Sequence, residues 1–113
     1  MIRTVCAVVV GLGLMAATAG AQTQAQIELG KQVYAAQKCQ ICHAIGAVGN
    51  KKGPLDDVGA RLSADEIRQW VVSAPEMAAK AKATRKPAMK AYPNIGKADL
   101  DALVAYLHSL KKT

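Results

Sequence analysis

Three stretches of apolar residues at helical spacing predict an all-α domain for this chain of 113 residues. A glycine-rich connection between the first two, and no alternating pattern of the kind strands require, support the same fold class.

The N-terminal segment stands apart from the rest. Met1-Ile2-Arg3 is a short positive start, Val5 to Ala17 is apolar and uncharged, and Ala19-Gly20-Ala21 supplies small residues at a cleavage position. That order predicts a secretory signal peptide over residues 1–21, removed after Ala21, and hence a periplasmic mature protein. The competing reading is a membrane anchor. The apolar run is short against the about 20 residues that cross a hydrocarbon core, so no stable anchor is expected. Cys6 falls inside the segment and has no role in the mature chain. Residues 22–113 then form one domain of 92 residues, a small chain for burying a core of its own.

Within that domain, residues 22–26 are polar and expected to fray. A helix is predicted from Ile27 to Lys38, with Ile27, Gly30, Val33 and Tyr34 on one face. Glycine inside a helix costs about 1 kcal/mol relative to alanine, so Gly30 implies close backbone approach by another helix. Ala44 to Ala60 reads as a loop, punctuated by Gly46, Gly49, Gly53, Pro54 and Gly59, with Lys51 and Lys52 on its surface. Ser63-Ala64-Asp65-Glu66 has the spacing of a capping box. It opens a second helix with Ile67, Trp70 and Val71 on its apolar face, and Pro75 marks the end. Met77 to Tyr92 has no clean period: Lys80, Lys82, Arg85, Lys86 and Lys90 surround alanines, Pro87 and Met89. The last helix, Lys97 to Leu110, places Leu100, Leu103, Val104, Leu107 and Leu110 on one side, and Asp99 and Asp101 suit the positive end of its dipole.

Between the first helix and the loop stands Cys39-Gln40-Ile41-Cys42-His43, the attachment signature of a c-type haem. Two thiols at this spacing match the two vinyl groups on a porphyrin edge. The adjacent histidine is then delivered beneath the ring, where its Nε2 can bind iron. Three plainer readings compete. A thioredoxin-like redox pair wants a βαβ context, and no strand pattern flanks this one. Half of a zinc site wants a second Cys or His pair, and none follows. A disulfide staple across so short a loop contributes little. A covalent haem also answers the size problem, because it supplies a large apolar plate for the helices to pack around.

Charge narrows the partners. Loss of Arg3 leaves 14 Lys+Arg against 8 Asp+Glu, a net +6 on the mature chain. Such a balance suits nucleic acid, a membrane surface or an acidic protein. Nucleic acid does not suit an exported chain without a binding motif, and an acidic docking surface on a redox partner is the better reading.

Taken together these residues resemble class I cytochrome c, from Gly30 to Leu110. The resemblance rests on Cys39 to His43, Gly53-Pro54-Leu55, Leu62 to Trp70, Met89-Lys90-Ala91-Tyr92-Pro93 and Leu103 to Leu107. It implies three to five helices wrapped around one covalently attached haem c, with Cys39 and Cys42 bonded to the porphyrin and His43 and Met89 as the iron ligands. It further implies that the Pro54 carbonyl accepts the His43 Nδ1 hydrogen bond, that Trp70 lies near a haem propionate, and that Gly30 and Tyr34 cross the last helix near Leu103 and Tyr106. Met77 is read as core filler and His108 as a surface or helix-end residue. Lys97 departs from the Ser or Thr that often caps the last helix, which leaves the cap weaker or shifted to Gly96.

The function so implied is electron transfer without catalysis: a periplasmic carrier, monomeric, moving one electron at a time between larger redox proteins. A haem subunit of a periplasmic oxidoreductase complex, such as a sulfur-oxidising or dehydrogenase assembly, is the alternative. An enzyme or gas sensor with a labile distal ligand, and a haem-free thiol protein, are the further rivals.

Overall fold

The computed structural model describes Gly11 and residues 19–112, with residues 19–23 as backbone only. The predicted signal peptide lies outside the described residues except at Gly11 and at Ala19–Ala21, which begin the first helix, and Cys6 lies outside them altogether. Among the described residues five α-helices follow one another: α1 (Ala19–Ala36), α2 (Val58–Arg61), α3 (Ala64–Val72), α4 (Ala74–Ala81) and α5 (Lys97–His108). Among the described residues no helix is long and apolar enough to cross a membrane. The mostly helical expectation holds, with local corrections: α2 begins within the stretch 44–60 read as a loop, α4 runs into the stretch read as aperiodic, and a short hairpin forms. Ala44–Ile45 (β1) pairs antiparallel with Val48–Gly49 (β2), a hairpin of two-residue strands too short to leave an alternating pattern.

Helix α1 starts earlier than Ile27, because the Ala and Gln residues ahead of it are good or neutral helix formers. It ends two residues before Lys38. That residue is instead left-handed, with φ 58°, in a region that costs a non-glycine residue roughly 1–2 kcal/mol. The reversal turns the chain across the end of α1 and into a 3₁₀ turn over Cys39–Ile41.

The α1–α5 crossing is the centre of the fold. A Cβ at Gly30 would lie 2.2 Å from the Ala102 carbonyl oxygen and 2.5 Å from Tyr106 Cβ, so the helices meet backbone to backbone there. One turn on, the Tyr34 and Tyr106 rings meet edge to face, centroids 6.0 Å apart at 83°, a geometry that ring quadrupoles favour. Around this pair pack Val33, Val58, Ile67, Val71, Leu103, Val104 and Leu107, all buried. Burial pushes the Tyr34 hydroxyl up to about 12, and it finds no hydrogen-bond partner among the described residues.

Helix α3 begins as its sequence dictates. Ser63 Oγ accepts from Glu66 N–H at 3.1 Å and Glu66 Oε1 accepts from Ser63 N–H at 3.1 Å, a reciprocal cap worth about 1 kcal/mol. Helix α3 ends at Val72, ahead of Pro75 as expected, yet Pro75 does not end helical structure. It occupies the first turn of α4, where a missing N–H breaks no helical bond. Gly96 is the N-cap of α5 with no side-chain bond. Asp101 does more than face the dipole. It takes Arg68 of α3 and Lys97 of its own helix, each at 2.8 Å, and both bonds hold its carboxyl below the usual carboxylate range.

Candidate functional site

The Cys39 to His43 pentapeptide is built by the turn that follows Lys38. Cys42 N–H and His43 N–H both donate to the Cys39 carbonyl, at 3.1 and 2.9 Å. The two cysteines and the histidine therefore share one tight turn, as the motif requires. Both cysteines are half-buried free thiols, not a disulfide. Cys39 packs against the central core, and burial pushes its thiol up to about 11. Among the described residues no three His, Cys, Asp or Glu side chains converge as a metal site of protein ligands alone would need.

His43 is oriented by its second nitrogen. Its Nδ1 lies 3.0 Å from the Gly53 carbonyl oxygen, so Nδ1 carries the proton and Nε2 keeps its lone pair for iron. Here the sequence reading needs correcting by one residue: the acceptor is Gly53, not Pro54. Ala44 bridges Pro54 in parallel, with Ala44 N–H donating to Gly53 O at 3.0 Å and Leu55 N–H donating to Ala44 O at 2.9 Å. In extended chain successive carbonyls point to opposite sides, so the Pro54 carbonyl faces away. Gly53 O thus accepts from both the backbone and the ring. This oxygen belongs to the peptide that joins Gly53 to Pro54. Burial holds the His43 imidazole below its usual range, and the Arg85 charge adds to this while the Gly53 bond opposes it.

Met89 is half-buried in the connection between α4 and α5. That connection is fastened at two places: Tyr92 N–H donates to the Val71 carbonyl at 2.8 Å, and Arg85 Nη2 donates to the Cys42 carbonyl at 2.7 Å. Trp70 is half-buried on α3, beside core residue Val71 but outside the central cluster. His108 lies in the last turn of α5, where its backbone abuts Gly59.

Two neighbours have no role of their own in the sequence reading, although Tyr92 belongs to the Met89 to Pro93 stretch that carries the resemblance. Arg85 reads there as one more basic residue of a run, and its contact with Cys42 spans 43 positions, for which no local pattern exists. Tyr92 feels both cysteines: burial raises its hydroxyl, and the Cys39 and Cys42 charges add to the rise. Lys90 Nζ lies 5.0 Å from the centre of the Tyr92 ring. An open groove of about 280 Å³ runs between Gln37 and Lys90 to Ile95, but neither thiol, His43 nor Met89 lines it.

The donor set fits a c-type haem. Two unpaired thiols and an imidazole with Nδ1 already committed stand on one turn, with Cys39 packed against the core.

Comparison with known proteins agrees. The chain is 30% identical over 106 residues to cytochrome c oxidase subunit 2 of Alkalihalophilus pseudofirmus. The match covers 86% of this chain but 29% of that relative, so the chain spans less than a third of its length. No solved structure matches. The family model for cytochrome c matches residues 27–111, from the middle of α1 past the end of α5, and the chain belongs to the cytochrome c family.

Proposed function

We propose that the mature chain is a periplasmic electron carrier holding one haem c with His43 and Met89 as axial ligands. Its family transfers electrons through a covalently bound haem and works with redox partners. The observation that carries the finer reading is the His43 Nδ1 contact with Gly53 O at 3.0 Å, on the same turn as two unpaired thiols. The Cys39 and Cys42 sulfurs would hold the porphyrin edge, with His43 Nε2 on one side of the ring. Met89 Sδ would close the other side, leaving no open position for oxygen or peroxide. Trp70 and Pro54 support the haem, the one with an indole toward a propionate, the other through the Gly53 peptide. When bound, the haem supplies a ferric/ferrous couple that takes up and returns one electron, at a potential raised by thioether ligation. The residues before the domain serve as a signal peptide cleaved after Ala21.

The basic residues Lys80, Lys82, Lys86 and Lys90 are exposed. They would steer an acidic partner toward the site, an effect that weakens with salt. A second reading has its own support. A relative named as an oxidase subunit contains a match to this chain as under a third of its length, which favours a haem unit working inside a larger redox assembly.

Spectroelectrochemical titration of the purified holoprotein tests the carrier reading. The expected result is a single reversible wave for one electron and a ferrous form that binds carbon monoxide slowly or not at all. Rapid carbon monoxide binding at rest would place the protein among gas sensors or enzymes instead.

A further inference from the structure

We propose that Arg85 is a positioning residue, a strap that fastens the Met89-bearing connection onto the histidine side of the site. The connection leaves α4 at Lys82, where a left-handed residue with φ 52° ends the helix. From there to Gly96 the chain has no regular structure, so its path depends on individual ties. Tyr92 supplies one tie to α3, through the Val71 carbonyl at 2.8 Å. Arg85 supplies the other, to the Cys42 carbonyl at 2.7 Å. Met89 lies between these points, so both flanks of the ligand-bearing stretch are held.

The seat for Arg85 is specific. Cys42 follows the 3₁₀ turn, where carbonyls look outside the helix for donors. The guanidinium lies over Gly53, where a Cβ would stand 2.2 Å from Arg85 Nη1 and 2.3 Å from the Cys42 oxygen. Only a residue without a side chain leaves that room. The same Gly53 gives its carbonyl to His43 Nδ1. One glycine therefore orients the proximal histidine with its oxygen and admits the strap from the distal segment with its bare Cα. A planar fork can reach past Gly53 and still aim one nitrogen at Cys42, whereas a lysine offers a single rotating point charge. Arg85 is exposed, so replacing it leaves the core intact.

The strap itself is independent of the haem. Its effect on ligation rests on Met89 being the distal ligand. Two assays on the holoprotein separate these. In Arg85→Leu, cleavage between Lys82 and Ala91 by a broad-specificity protease is expected to run roughly tenfold faster, the least that a hydrogen bond from a charged donor is worth. Ferric Arg85→Leu is expected to bind added imidazole about tenfold more tightly, because the thioether is more easily displaced. Arg85→Lys keeps the charge, so its reduction potential should stay at the wild-type value while its cleavage rate still rises. Wild-type behaviour of Arg85→Leu in either assay overturns the proposal. Failure of the His/Met reading is recognised separately, from a wild-type ferric spectrum that lacks the thioether-to-iron band. The cleavage assay then decides the strap alone.

Discussion

Gly30→Ala lowers the melting temperature of the holoprotein by roughly 10 °C. At an ordinary helix position the same change would stabilise by about 1 kcal/mol, because alanine restricts the unfolded chain and glycine does not. Here the new methyl would stand 2.2 Å from the Ala102 carbonyl oxygen and 2.5 Å from Tyr106 Cβ. Neither neighbour is the free end of a flexible side chain, so α1 and α5 must move apart. That separation also loosens the edge-to-face pair of Tyr34 and Tyr106, at 6.0 Å, and the buried residues packed around it. Overpacking of this kind costs about 1–3 kcal/mol and more when backbone must shift, which outweighs the propensity gain. Thermal unfolding followed by circular dichroism gives the answer. A variant as stable as the parent would mean that the crossing has slack and that Gly30 has another reason to be there.

Met89→Ala removes the ferric thioether-to-iron charge-transfer band and opens the distal side to carbon monoxide in the ferrous form. The reduction potential falls by on the order of a tenth of a volt, a modest part of the ~0.8 V range over which axial ligands set haem potentials. The direction follows from chemistry: a soft thioether favours ferrous iron, and water or hydroxide in its place favours ferric. The fold should survive, because Met89 is half-buried and stands outside the central cluster. Met77→Ala is the control, on α4, and should leave band and potential unchanged. If Met89→Ala keeps the parent spectrum, the distal ligand is another residue.

What the sequence made legible was local or chemically costly. The Ser63–Glu66 cap depends on residues three apart, and both reciprocal bonds form. Gly30 announced a helix crossing because a glycine inside a helix needs a reason. Cys39 to His43 carries its own chemistry within five positions. What escaped depended on contacts between distant segments, or on residues whose local preference is weak. Helix α4 is half alanine, with Met77 as its one long apolar side chain, and Pro75 reads as a stop although a first turn accepts it. The shift from Pro54 to Gly53 follows from which side of residues 53–55 faces Ala44, a matter of strand register that motif spacing does not contain. Asp101 suits a helix dipole by position, yet its partners are Arg68 on another helix and Lys97. The Arg85 strap joins residues 43 apart and has no signature in either neighbourhood.

The central claim is that Cys39 and Cys42 carry a haem on the turn that also presents His43. Mass spectrometry tests it most directly, on protein expressed in cells equipped for haem attachment, denatured, and digested before measurement. The account predicts one haem retained on the peptide containing Cys39 and Cys42, with neither thiol free to alkylate. A peptide of unmodified mass with two alkylatable thiols would contradict it.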